Sequence, residues 1–429
     1  MYINKISISN FKSIEKAEMD LSQLTMLVGK NASGKSNIIN VFRFIADILS
    51  DGIDHAIAKQ GGIHNITNAN LPKGEKVEIA FAMDLSNDRC LRRLASKRYA
   101  LNISSVEYKF VLQPNQRGHG YHIIYDYIQI INDCYLFAGT KYKKPTFSPL
   151  NMQRVITIER KNKNNTVKVD KNMLHDNPSN DLLEQLEKDP ALDFFVLAAN
   201  QDKQELMLYR LPVLLSTSFA GNSFIRVFDF DPKTLKKSSS MAHTRVFYED
   251  GSNLASILQT ILNNKEQRKK LTILLNEYLP FVEAVTIENN PDKSFSYKIR
   301  ECYSKKAFHA NFLSDGTVSL LALIIALYFH EESNIIVLEE PERNIHPKLL
   351  STLLASATDV SQEKQIIITT HNPEFLRHAN IENVRLVSRS ATGRTKISNP
   401  SNNATVKIFL ENDLGLDDLF VDDLMEDKQ

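Results

Sequence analysis

The chain has 429 residues, 42% hydrophobic and 24% charged, with 52 basic against 51 acidic residues and a net charge of +1. That length holds two or three average domains, or one large domain with insertions, and the balanced charge argues against a globally basic nucleic-acid binder. The three cysteines, Cys90, Cys134 and Cys302, are too far apart for a disulfide framework or a zinc-ligand spacing, and they suit a reducing cytoplasm.

The N-terminus alternates, with Ile3, Ile6 and Ile8 as strand residues, and it lacks the apolar core of a signal peptide. No run approaches the roughly 20 apolar residues of a membrane span; Val318 to Phe329 reads as a buried helix. Phe11-Lys12-Ser13-Ile14 turns into a second strand ending near Asp20. Leu24 to Val28 is a short apolar run, read as a buried strand. It leads into Gly29-Lys30-Asn31-Ala32-Ser33-Gly34-Lys35-Ser36-Asn37, which fits G-x-x-x-x-G-K-[ST]. Glycines let the backbone N–H groups approach phosphate oxygens. Lys35 is placed to reach the β- and γ-phosphates, and Ser36 to bind Mg²⁺. Ile38, Ile39, Val41, Phe42, Ile45, Ile48 and Leu49 then recur at helical spacing, so a helix N-terminus faces the anion.

The order of strand, Asn10-Phe-Lys-Ser-Ile14, second strand and phosphate loop resembles the ATP-binding-cassette-like ATPases of the SMC-like and OLD-nuclease group. The resemblance implies an α/β, ABC-type ATPase head with a mixed sheet core and an antiparallel β lobe, assembled from both ends of the chain. Alternating runs at Lys76–Asp84, Val106–Leu112, Tyr121–Ile131 and Arg154–Glu159 are expected to form that lobe. Lys161 to Lys171 is polar and reads as a turn and exposed edge. Helical spacing in Asp181–Leu197 and Leu254–Tyr278, broken by the polar Asn263–Lys270 stretch, predicts a mainly helical insertion over 172–282. It lies between head segments 1–171 and 283–429. No sustained heptads mark a coiled-coil arm, in contrast to true SMC proteins.

Val285, Ile287, Tyr297 and Ile299 suggest strands leading to Asn311-Phe-Leu-Ser314-Asp315-Gly316-Thr317. This segment resembles the ABC signature loop, with Asp315 in the first glycine place. Ser314 also makes a plain helix cap for the apolar run that follows. The resemblance assigns Ser314, Asp315 and Gly316 to the γ-phosphate of a partner's ATP. Ile335 to Leu338 followed by Glu339, Glu340 and Pro341 fits a Walker B strand. By resemblance Glu339 lies near Mg²⁺ and Glu340 polarises the attacking water. Glu342 to Pro347 resembles a dimer-contacting D-loop. Lys364 to Thr370 is a further buried strand, and the resemblance makes His371 the switch histidine. Two candidates stand for the Q-loop glutamine, Gln60 and Gln201. The stretch from His371 to Gln429 is too short for the TOPRIM domain of OLD nucleases. Leu414 to Asp427 is acidic, and reads either as a docking helix or as a frayed end.

The expected activity is ATP hydrolysis with Mg²⁺. The resemblance implies a homodimer or higher even-numbered assembly, a separately encoded effector such as a nuclease or toxin, and a role in bacterial phage defence. Nucleic acid is a further candidate partner, and a membrane is not expected. An SMC-like DNA-binding or repair clamp with slow turnover is the alternative. The middle of the chain holds no recognisable cluster of metal ligands, which argues against a nuclease, and a transporter subunit is disfavoured by the Asp315 variant.

Overall fold

The computed structural model describes residues 1–72, 74–86, 92–94, 98–118, 120–140, 143–161, 167–174, 179–201, 204–214, 224–241, 246–330, 333–412, 414–422 and 424–425. Cys90, Leu215, the centre of the polar 161–171 stretch and the last residues of the acidic tail lie outside them. The chain divides into two compact units. One is Met1–Ser22, Asn40–Phe224 and Ser388–Ile397; the other is Gln23–Ile39, Ile225–Val387 and Ser398–Gln429.

The first unit is built on an eight-stranded antiparallel sheet. Its order is Ile14–Asp20, Tyr2–Phe11, Val77–Asp84, Tyr99–Pro114, Tyr121–Thr140, Lys143–Lys161 and Val167–Leu174, with the short Arg92–Arg93 pairing off this path. Alternation sets the buried face: Val77, Ile79, Phe81 and Met83 point inward and their neighbours are half-exposed. Two buried ion networks tie the Asn180–Leu214 region to this sheet. Asp126, fully buried, accepts from Arg160 Nη2 at 2.6 Å, from Met207 N at 3.0 Å and from the Tyr108 hydroxyl. Arg154, 2% exposed, donates to Asp189 at 3.1 Å and to the Leu186 carbonyl at 2.6 Å. Removing one member of such a pair strands a buried charge, at a cost of about 3–5 kcal/mol.

The second unit carries a parallel sheet in the order Ile225–Phe228, Ile335–Glu339, Gln365–Thr370, Leu24–Val28 and Val384–Arg389. Its central strands are buried on both faces, which is why they read as unbroken apolar runs. A small antiparallel sheet joins Ser239–Ser240, Ser294–Glu301, Val282–Asn289 and Ala307–His309. The Asp315–Tyr328 helix is buried on all sides from Thr317 to Leu327. The acidic tail docks: Leu416, Leu419 and Phe420 are buried, and Arg377 Nε donates to Asp417 at 2.8 Å.

The expected 172–282 insertion does not coincide with a compact unit. Residues through Phe224 cluster with the antiparallel lobe, and those from Ile225 with the parallel sheet. The reason is Ile225-Arg-Val-Phe228, a four-residue strand paired in parallel with Ile335–Leu338. The helical stretch that follows is two helices, Leu254–Asn263 and Lys265–Tyr278, separated by Asn264 alone, whose side chain caps the second by accepting from Glu266 N and Gln267 N.

Candidate active site

In a parallel sheet the loops at the carboxyl ends of the strands converge, and ligands bind there. The register brings these ends level: Val28 pairs with Thr370, Thr369 with Glu339, and Leu338 with Phe228. The phosphate loop, the Glu339–Glu340 turn, His371 and Asp229 therefore share one edge of the sheet.

The loop is closely built. A Cβ at Gly29 would meet the Val387 carbonyl oxygen at 2.1 Å and Ser33 Oγ at 2.7 Å, so only glycine fits. Gly34 takes φ 111°, a conformation L side chains rarely adopt, and Ala32 lies at φ 62°. Lys30, Asn31 and Ala32 are exposed on the rim, while Ser33 and Lys35 are buried. Gly29 N donates to Thr370 O at 3.2 Å, and Asn37 N to Gly34 O at 3.0 Å. Lys35 begins the Lys35–Asp51 helix, whose first N–H groups have no acceptor within the helix. Its ammonium donates to the carbonyls of Gly29 at 2.6 Å and Lys30 at 3.0 Å. Burial pushes the Lys35 ammonium below the usual lysine range, against the pull of Glu340, Glu342 and Glu339.

Ser36 Oγ donates to Glu339 Oε1 at 2.6 Å, which joins the two expected Mg²⁺ ligands from opposite ends of the fold. Glu340 sits in the left-handed region at φ 45°. Its N–H is held by Thr369, by the carbonyl and by Oγ1, each at 3.1 Å. A carboxylate only accepts, so His371 Nδ1 donates to Glu340 Oε1, at 2.9 Å, and Arg343 Nε donates to Oε2, at 3.1 Å. Burial raises the Glu340 carboxyl, but the donors Arg343 and His371 outweigh it and hold the group below the usual range.

A site for ATP with Mg²⁺ fits these residues. Ser33 Oγ is buried without a hydrogen-bond partner, inside a loop of N–H donors. Ser36 and Glu339 supply the hard oxygen atoms that Mg²⁺ takes, one or two from protein and the rest from phosphates and water. Among the described residues no group of three or more His, Cys, Asp or Glu side chains is arranged to hold a metal by itself.

Ser314 and Asp315 are exposed at the start of the Asp315–Tyr328 helix. Their recorded bonds run to Thr317 and to Lys236, not to the Gly29–Asn37 loop. Gly316 packs on the Glu340–Ile345 turn, where a Cβ would meet Asn344 O at 2.7 Å. Of the two candidate Q-loop residues, Gln60 accepts from Lys12 Nζ at 2.8 Å within the antiparallel unit, and the side chain of Gln201 is outside the described residues. Sequence reading assigned no role to Arg343 and Thr369, which bond Glu340, to Asp229, which bonds Arg343, or to Thr370, whose carbonyl accepts from Gly29 N. Only Arg343, three residues after Glu340, carried a local hint.

The chain is 26% identical over 82 residues to the DNA replication and repair protein RecF of Frankia alni, a match covering 18% of this chain and 22% of that protein, so it spans well under two thirds of that relative. It is similar in fold to an Smc head bound to the C-winged helix domain of ScpA, with 15% identity and a TM-score of 0.52 over 93% of this chain and 98% of that one. An Smc head from Pyrococcus furiosus with an extended coiled coil, bound to the C-terminal domain of ScpA, gives 14% identity and a TM-score of 0.46 over 96% and 100%. Residues 1–376 match the AAA ATPase domain family AAA_15, and the chain belongs to that family.

Proposed function

We propose that this ATPase closes as a two-fold dimer around two ATP molecules and uses their hydrolysis to gate a separate effector. The observation that carries the reading is the joining of Ser36 to Glu339 and of Glu340 to His371 at the mouth of the phosphate loop. In this reading N–H groups of the loop from Lys30 to Ser36 and the Lys35 ammonium hold the phosphates. Lys35 then exchanges its two carbonyl acceptors for phosphate oxygens. Ser36 and Glu339 hold Mg²⁺, which when bound offsets charge on the β- and γ-phosphates. Glu340, ionised through its two donors, takes the proton of the attacking water. His371 keeps its Nδ1 proton and donates it as a hydrogen bond to Glu340 Oε1, which holds that carboxylate beside the γ-phosphate position.

The second half of the site comes from the partner. Ser314 and Asp315 sit exposed, with Gly316 half-buried behind them, at a helix N-terminus, where anions are favoured. A two-fold interface would apply each such turn to the other copy's γ-phosphate. ATP would then link assembly to turnover by mass action. The effector reading, a nuclease or toxin acting in phage defence, rests on the resemblance to stand-alone OLD/SMC-like ATPases. The similarity to RecF and to Smc heads favours a second reading, a DNA-binding or repair clamp with slow turnover. Stimulation of hydrolysis by DNA in the absence of any other protein would favour the clamp.

The test mixes two inactive variants, Lys35→Ala and Ser314→Arg. In a mixed dimer one composite site carries both lesions and the other carries none, so hydrolysis returns. Mixed dimers demonstrated by subunit tags, with no recovered hydrolysis, would contradict the shared site. So would full activity in a strictly monomeric protein.

A further inference from the structure

Asp229 stands at the carboxyl end of the Ile225–Phe228 strand, one residue beyond the Phe228–Leu338 pair, beside the strand that carries Glu339 and Glu340. Arg343 Nη1 donates to Asp229 Oδ1 at 3.0 Å, while Nε of the same guanidinium donates to Glu340 Oε2 at 3.1 Å. One cation is thus shared by two carboxylates from neighbouring strands. The planar fork of arginine makes such sharing directional: fixing one acceptor fixes where the other must lie.

Asp229 is the better-anchored end. Its N–H donates to Glu249 O at 3.0 Å. Phe228 and Phe230, on either side, both pack on Phe247, at 5.6 and 5.5 Å between ring centroids. Asp231 then caps a short turn by accepting from Lys233 N at 2.9 Å. Arg343, by contrast, projects a long side chain from a turn that follows two residues of unusual backbone demand, Glu340 at φ 45° and Pro341. Beside them, a cavity of about 10 Å³ bounded by Phe228, Phe230, Glu340, Pro341 and Arg343 has room for about one water.

We infer that Asp229 is a positioning residue for ATP hydrolysis: it holds Arg343, and through Arg343 it fixes the carboxylate of Glu340 against the attacking water. The inference rests on Glu340 as the group that takes the water's proton. A carboxylate freed to swing loses part of the advantage of a placed base, which is about 10²- to 10⁴-fold in all.

The experiment is a mutant cycle on the full chain. Both side chains of the Asp229–Arg343 pair are 40% exposed, so substitution leaves the core intact. Asp229→Asn keeps the shape and removes the charge. It is expected to lower kcat about tenfold, with KM, ATP affinity and thermal midpoint unchanged. Asp229→Glu, which restores the charge, should recover most of the loss. Arg343→Gln should match Asp229→Asn, and the double variant should be no slower than the slower single one, because both act along one path. In a Glu340→Gln background Asp229→Asn should change nothing further. Wild-type kcat in Asp229→Asn, losses that multiply in the double variant, or a loss confined to KM would overturn the inference. If Glu340→Gln is impaired while Asp229→Asn is not, only the positioning role falls. If Glu340→Gln hydrolyses ATP at the wild-type rate, the base assignment falls and takes the positioning role with it.

Discussion

Alanine at Gly29 would put a methyl group where the phosphate loop has no room for one. Its Cβ would lie 2.1 Å from the Val387 carbonyl oxygen and 2.7 Å from Ser33 Oγ, whereas ordinary contact begins at 3.4 Å. The carbonyl would have to retreat by more than about 1 Å. It is backbone, and the residues just before it, Val384 to Leu386, pair in parallel with Met26 to Val28, which lead into Gly29. Loop and strand therefore cannot part without loosening the sheet that positions the site. Overpacking of this kind costs about 1–3 kcal/mol. If the loop takes most of that strain, ATP affinity falls about 10- to 100-fold. Titration with a fluorescent ATP analogue reads the affinity, and thermal unfolding reads the remaining strain. Adding Ser33→Ala removes the 2.7 Å contact but not the carbonyl, so the double variant should stay weak. Wild-type affinity in Gly29→Ala would refute the close-approach argument.

Ser36→Ala removes the hydroxyl that meets Glu339 at 2.6 Å. The Mg²⁺ concentration needed for half-maximal hydrolysis should rise about 10- to 100-fold, and Ser36→Thr should restore it; an unchanged Mg²⁺ requirement would count against the metal assignment. His330 offers a test by acid. Its Nε2 is buried without a partner and its ring stacks on Phe247 at 5.8 Å. Burial, reinforced by Arg226 and Lys364, pushes it down to about 4. The unfolded chain takes up this proton below about pH 6.5 and the folded chain does not, so stability falls between pH 6.5 and 4, by about 3 kcal/mol in all. Urea titrations of His330→Phe at pH 7 and pH 4 should show a loss smaller by about that amount, and equal losses in both proteins would remove His330 as the cause.

What the sequence disclosed was what depends on contiguous residues. Gly29, Gly34, Lys35 and Ser36 are legible because phosphate binding fixes their spacing. Glu339 and Glu340 are legible because an apolar strand has to end before carboxylates can face water. Ser314 caps its helix through Thr317 N at 3.1 Å, a bond set by local spacing alone. The lobe strands were found by alternation but ran longer than they read. Tyr121–Thr140 continues past Ile131 through the polar Asn132 and Asp133, where an irregularity in pairing interrupts the period. Val167–Leu174 pairs with Lys143–Lys161 at the edge of the sheet, where lysines and asparagine are tolerated, and its polar first part read as a turn and exposed edge, the edge without the strand.

The illegible parts depend on partners distant in sequence. Ile225–Phe228 is only four residues, and nothing local sets it apart within the expected 172–282 insertion; its pairing with Ile335–Leu338 decides its place. Asp229 and Arg343 are 114 positions apart. Thr370 was read only as the end of a strand. In the fold its carbonyl accepts from Gly29 N, and its hydroxyl donates to Glu342 and accepts from Asn372 N. Burial holds the Glu342 carboxyl above the usual range, an effect that no spacing rule announces.

The central claim is that Glu340 takes the proton of the attacking water while the phosphate loop binds ATP independently of it. Single-turnover hydrolysis by Glu340→Gln, measured beside equilibrium ATP binding by the same protein, tests it most directly. The account predicts binding within about twofold of wild type and a hydrolysis rate lower by at least about 10²-fold. Hydrolysis at the wild-type rate would contradict it.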